Sequence, residues 1–189
     1  MYGINLTDRI MGKWGDAGQA KVNEWKEKQS ARMTGTGNVS YGIIRENSGR
    51  SYKGWYKGLF FRSSYELAFI IDYEDANKTL PESAENRIRI DLSNNKTYTP
   101  DFFCPTTNTV FEIKAERFLE DNQEKFAAGE QFCADKSWSY KVLTETDLRS
   151  LPIECQRTGW IQHLIDERLV ELTDYSAIKL EQRTTKNPA

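Results

Sequence analysis

One histidine stands among 189 residues, and that scarcity excludes whole classes of chemistry. Sites built from several imidazoles are ruled out, zinc fingers and His-Asn-His nuclease schemes among them. A Ser-His-Asp triad would have to use His163. That residue falls in an amphipathic stretch, TGWIQHLIDERLVEL, and reads as a surface or packing residue. Cysteine is nearly as sparse. Cys104, Cys133 and Cys155 form no C-x-x-C pair and cannot all pair with one another, which favours a reducing compartment. No run of eighteen apolar residues is present, so no membrane span is expected. The opening MYGINLTDRIMGKWGD lacks the apolar stretch of a secretory signal. A cytoplasmic location is the expectation. There is no internal repeat and no low-complexity tract.

What is present in quantity is charge, unevenly placed. The net charge is −2. Residues 1–62 carry eleven Lys/Arg and five Asp/Glu, a net of +6, against −8 for the remainder. A basic front on an acidic rear suggests a polyanion contact in the front. The acidic rear would repel phosphates unless a cation sat among its carboxylates. With 38% hydrophobic residues the chain has enough apolar material for a folded core.

The pattern divides the chain into three parts: a basic segment and linker over 1–58, a globular core over 59–150 and a helical extension over 151–189. Residues 17–33 read as a helix with a thin apolar stripe of Val22, Trp25 and Met33, marginal without a partner. Residues 34–58, glycine-rich with Lys/Arg among Tyr41, Tyr52, Trp55 and Tyr56, read as an irregular linker that contacts something. Basic residues among aromatics suit phosphate neutralisation with stacking or groove insertion. From Leu59 the chain looks globular. Ser63 or Ser64 caps a helix through SSYELAFIIDYEDA. Strands are expected over 86–92, 96–104 and 109–115, separated by turn residues. A helix over about 118–135 and a strand over 139–145 follow. Residues 156–172 read as a helix whose stripe (Trp160, Ile161, Leu164, Ile165, Leu169, Leu172) serves either a homodimer interface or the core of a monomer. The last few residues are expected to fray. The acidic run Asp72-Tyr73-Glu74-Asp75 reads as a solvated helix end.

Chemistry concentrates in Thr99-Pro100-Asp101-Phe102-Phe103 and Phe111-Glu112-Ile113-Lys114. Strand alternation puts Val110, Glu112 and Lys114 on one face. Asp101, at the end of the preceding strand, can sit beside Glu112. Carboxylates forced together resist joint ionisation, and a divalent cation relieves the conflict. Asp101, Glu112 and the Ile113 carbonyl offer oxygen ligands suited to Mg²⁺ or Mn²⁺, which would activate water against a phosphodiester. Lys114 would position that water or offset negative charge. Glu66, on the preceding helix, is the fourth member, ligating directly or through water. The plain alternative is an exposed hairpin with ordinary surface charges.

These residues, in the order helix, three strands, helix, strand over 59–145, resemble the PD-(D/E)xK nuclease superfamily. Phe61-Arg62-Ser63-Ser64-Tyr65-Glu66, Tyr98-Thr99-Pro100-Asp101-Phe102 and Glu112-Ile113-Lys114 are similar to a phage Holliday-junction resolvase family and to the end-cleaving nuclease subunit of heteromeric transposases. Ala31-Arg32-Met33-Thr34-Gly35-Thr36-Gly37-Asn38-Val39-Ser40-Tyr41-Gly42 is similar to the nuclease-associated modular DNA-binding motif of homing endonucleases. Val39 and Ser40 depart from that motif's usual Pro and Met. Gly54-Trp55-Tyr56-Lys57-Gly58 resembles phage-encoded homing endonucleases of the same nuclease class. The resemblance implies an α/β (α+β) restriction-endonuclease-like αβββαβ core, a mixed sheet flanked by helices, with an extended N-terminal DNA-binding segment. It implies catalysis by Glu66, Asp101, Glu112 and Lys114. The implied activity is metal-dependent cleavage of double-stranded DNA, of the homing or mobile-element type. Junction-resolving, transposition or nonenzymatic DNA-binding roles are the alternatives. Arg32, Asn38, Tyr41, Arg45, Arg50, Lys53, Trp55, Lys57 and Arg62 are the expected DNA contacts, with Gln131 on the second helix.

Overall fold

The computed structural model describes residues 51–85, 87–93 and 96–186, together with positions 20, 23, 24, 26–28 and 30. The chain divides into two units, Met1–Ser48 and Gly49–Ala189. In the first, the described positions are helical and exposed, and Lys28 pairs with Glu24 at helical spacing. Val22, Trp25, Arg32, Met33, Asn38, Tyr41, Arg45 and Arg50 lie outside the described residues.

In the second unit, residues 51–58 are not a linker. Gly54–Tyr56 (β1) and Leu59–Phe61 (β2) form an antiparallel hairpin. Its two-residue turn places both Lys57 (φ 48°) and Gly58 (φ 86°) at positive φ, the geometry a tight hairpin requires and glycine tolerates. The other edge of β1 pairs antiparallel with Val170–Leu172 (β9). Alternation along β1 buries Tyr56 and turns Trp55 outward. Tyr52 is buried too, so two of the aromatics expected at a binding surface belong to the core.

Helix α1 spans Ser64–Asn77. Ser63 is its N-cap, extended in backbone and accepting from the Glu66 N–H at 3.1 Å. Lys78, in the left-handed region, closes the other end with its N–H on the Glu74 carbonyl. Leu67, Ala68, Phe69 and Ile70 are buried, so the helix is apolar on more than one side and packs into the core. The acidic run at its end is engaged rather than merely solvated. Asp72 accepts from Ser150, and Glu74 accepts from Tyr56 and Lys57.

The central sheet has four strands in the order β3-β6-β7-β8: Glu82–Ser83, Phe102–Cys104, Thr109–Ile113 and Ser139–Leu143. The first three are antiparallel, and β7 and β8 are parallel. Gln123–Asp135 (α2) connects them, preceded by two short 3-10 turns over 116–122. The mixed sheets flanked by helices give the α+β, restriction-endonuclease-like architecture that the sequence suggests.

Two strand expectations are corrected. The first core strand is Glu82–Ser83, outside every expected strand, while the 86–92 run supplies only Ile90–Asp91 (β4) to a separate hairpin. The 96–104 run breaks in two. Thr97–Tyr98 (β5) pairs with β4, and β6 turns away to the central sheet. Pro100 sits at the break, where it has no N–H to give a ladder.

The expected helix over 156–172 ends earlier. Arg157–Asp166 (α3) stops before Arg168, which has φ 59°, and the chain then enters β9. A further helix, Asp174–Lys186 (α4), follows β9, and the last three residues, expected to fray, lie outside the described residues. Ile161, Leu164, Val170 and Leu180 join Tyr52, Phe61, Leu67 and Phe102 in one core. Trp160, Ile165, Leu169 and Leu172 pack against it, so the stripe closes the core of the monomer. His163 is exposed on α3.

The central sheet carries apolar packing on both faces. Phe69, Phe102 and Phe111 meet on the α1 face with centroids 5.0–5.1 Å apart, each such pair contributing about 0.5–1.5 kcal/mol beyond its area. Phe103, Val110, Cys133 and Tyr98 form the second cluster.

Candidate active site

The β6/β7 register brings the carboxylates together. Phe102 faces Phe111, so the next step along the ladder sets Asp101 across from Glu112. The Ile113 N–H donates to Asp101 Oδ2 at 2.8 Å. Glu112 is only 2% exposed. Lys114, two residues on and therefore on the same face, places its Nζ 2.8 Å from Glu112 Oε1. Tyr98 donates to the other oxygen, Oε2, at 2.6 Å.

Glu66 enters from the first turn of α1 and has two duties. Its Oε2 accepts from the Arg62 N–H at 2.9 Å and its Oε1 from the Ser63 hydroxyl at 3.0 Å. With Ser63 capping Glu66 N–H in return, this is a variant capping box, shifted by one residue at its outer end. It is also 7% exposed and close enough to feel the other acids.

The electrostatics show convergence. Burial pushes the Asp101 carboxyl well above the usual range, and the Glu112 and Glu66 charges push it further; the Ile113 N–H and Lys114 act against this. Burial likewise raises Glu66, against the Arg62 and Ser63 donors. For Lys114, burial favours the neutral amine, but the Glu112, Asp101 and Glu66 charges outweigh it and its pKa is raised. Two buried carboxylates, Glu66 and Glu112, and the half-buried Asp101 thus share the Lys114 ammonium.

That imbalance is the structural case for a divalent cation. Asp101, Glu112 and the Ile113 carbonyl are hard oxygen donors, and Mg²⁺ sites commonly use one or two carboxylates completed by water and phosphate. Among the described residues no set of three or more acidic, Cys or His side chains is arranged as a ready-made metal cage. Both Glu66 oxygens already serve the helix cap, which suits contact through water better than direct ligation.

Residues 60–145 match the family model of the TnsA-like endonuclease N terminal. No curated protein and no solved structure matches the chain. The matched segment contains Glu66, Asp101, Glu112 and Lys114, and runs from β2 to just beyond β8. TnsA-like domains are of the PD-(D/E)xK, restriction-endonuclease-like kind.

The expected DNA contacts scatter. Arg62 is exposed at the mouth of the site, over the Phe60 ring at 5.7 Å and paired with Glu85 at 2.7 Å. Trp55 packs on Phe60 across the hairpin at 5.2 Å and remains 38% exposed. Lys53 is exposed. Lys57 is bonded to Glu74, a structural contact on the β1–β2 turn. Gln131 is exposed on α2 but donates to Asp135 at 2.7 Å, along its own helix. Tyr98 and Tyr140 have no place in the sequence-based site. Tyr98 stands within Tyr98-Thr99-Pro100-Asp101, and that proximity is the only signal that could have flagged it.

Proposed function

We propose that this protein is a divalent-metal-dependent DNA endonuclease. The observation that carries this reading is the set of buried Glu112 and Glu66 with half-buried Asp101, gathered beside Lys114. Asp101 and Glu112, with the Ile113 carbonyl, would hold Mg²⁺ or Mn²⁺ against a scissile phosphate. The cation, when bound, would lower the pKa of water and polarise the phosphodiester. Lys114 leaves Glu112 Oε1 on loading and turns its ammonium toward the attacking water or the phosphate oxygens. Glu66 orders water from the opposite side while it holds the start of α1. Arg62 exchanges Glu85 for a DNA phosphate, and Trp55 with Phe60 offers an apolar surface to the duplex.

The basic segment over 1–58 acts as a targeting arm in this account, with Arg32, Asn38, Tyr41, Arg45, Arg50 and Lys53 as DNA contacts. Its likeness to the homing-endonuclease motif supports a homing role in a phage or mobile element. A second reading, an end-cleaving nuclease of the transposase type, is favoured by the TnsA-like match. The described residues form one such site, so a double-strand break requires a homodimer or two successive nicks. Mapping cleavage ends on plasmids with random inserts, alongside a four-way junction, separates these roles. A single preferred sequence supports homing. Cuts confined to transposon-end sequences support the second reading, and cuts at the junction alone support resolution.

A further inference from the structure

The site includes a hydrogen-bond chain that the four polar residues do not account for. Tyr98 donates its one hydroxyl proton to Glu112 Oε2 at 2.6 Å. The Tyr140 oxygen lies 2.8 Å from the Tyr98 oxygen. Since the Tyr98 proton is spent on Glu112, Tyr140 must be the donor in that second bond. The chain therefore runs one way, from Tyr140 to Tyr98 to Glu112.

Three elements build it. Tyr98 is on β5, 6% exposed and wedged among Ile88, Ile90, Phe103 and Val110. Tyr140 is on β8, paired with Val110 in the parallel ladder and so on the same face as Glu112. Gly129 of α2 leaves room for the Tyr140 ring, since a Cβ there would stand 2.6 Å from two ring carbons.

We infer that Tyr98, supported by Tyr140, is the positioning residue that commits Glu112 Oε2 to the protein and leaves Oε1 as the oxygen available to a cation. This rests on the proposed metal-dependent activity and specifies how its site is held. A carboxylate with one oxygen fixed in a buried hydrogen bond presents the other in one direction only. Removal of such an outer-shell partner commonly costs about 10–100-fold in metal affinity. Lys114 holds Oε1 before loading and can leave it, whereas Tyr98 is locked in the core.

The test measures Mn²⁺ affinity, by the electron paramagnetic resonance signal of free Mn²⁺, in the full chain without DNA. Wild type, Tyr98→Phe, Tyr140→Phe and Tyr73→Phe are compared, each checked by thermal melting. Tyr73, half-buried, donates to Cys104 at 2.8 Å and serves as a control for loss of a bonded tyrosine hydroxyl elsewhere in the fold. The expected result is a loss of about tenfold or more in Tyr98→Phe, a smaller loss in Tyr140→Phe and none in Tyr73→Phe. Should Tyr98→Phe fail to fold, Tyr140→Phe still reports through the same chain. Equal affinity in wild type and both site variants overturns the assignment and leaves the nuclease reading intact. Equal losses in all three variants also overturn it, because the effect would then be general destabilisation. A wild type that neither binds Mn²⁺ nor cleaves DNA overturns both.

Discussion

Lys114 sits beside Glu112 as a resident cation, its Nζ 2.8 Å from Oε1. Glu112 is almost wholly buried while Lys114 is a quarter exposed, so the partner able to leave is the lysine. On the proposed metal-dependent reading, the lysine is therefore the group that would give way to a divalent ion.

Lys114→Met is expected to lower stability and abolish cleavage together. Breaking a buried pair by removing one partner leaves a desolvated charge, and partial exposure of Lys114 reduces the cost to about 1–3 kcal/mol. Cleavage should fall about 100-fold or more. Calorimetric melting and plasmid nicking measure the two effects.

Asp101→Asn is expected to act oppositely on metal-free and metal-loaded protein. The amide oxygen can still accept the Ile113 N–H, and one of three crowded charges is gone. The metal-free melting temperature should hold or rise, and the increase produced by Mn²⁺ in wild type should vanish. Thermal shift with and without Mn²⁺ reads both; a fall in the metal-free value would refute the crowding argument.

The capping and catalytic roles of Glu66 should separate. Ser63→Ala removes the N-cap acceptor of α1 and should cost about 1 kcal/mol. Glu66→Gln keeps an acceptor for Arg62 and a donor for Ser63, so it should melt near wild type yet cleave poorly. Melting curves and nicking rates for the two variants check this.

Far from the site, Glu74 should confer acid-sensitive stability. Its hydrogen bond from Lys57 holds its carboxyl below the usual 4.5, assisted by Tyr56 and opposed by burial. A depressed folded pKa adds stability above the unfolded value, which is lost as pH falls through the folded one. Wild type should exceed Glu74→Gln by about 0.5–1 kcal/mol at neutral pH. Urea titrations from pH 7 down to pH 3 should show the gap closing below the ordinary carboxylate pKa.

Legibility in the sequence followed range. Ser63 and the apolar run behind it announce α1, and the alternation of 109–115 announces β7 with Glu112 and Lys114 on one face. These signals are local. The pairing of β1 with β9 joins Gly54 to Leu172, and nothing near either residue encodes the other. Hence 51–58 resembled a linker and Leu169–Leu172 resembled more helix. The break at Pro100 was visible only as a proline, not as a switch between sheets. Tyr98 reaches Glu112 because of that break, so its role followed only from the fold.

The most direct measurement is cleavage of supercoiled plasmid by wild type and Glu112→Ala, in Mg²⁺, Mn²⁺ or excess chelator. Nicking or linearisation that requires the metal and disappears in Glu112→Ala is the predicted result. Cleavage that survives the chelator or the substitution would contradict the account, as would intact plasmid and intact four-way junction under every condition.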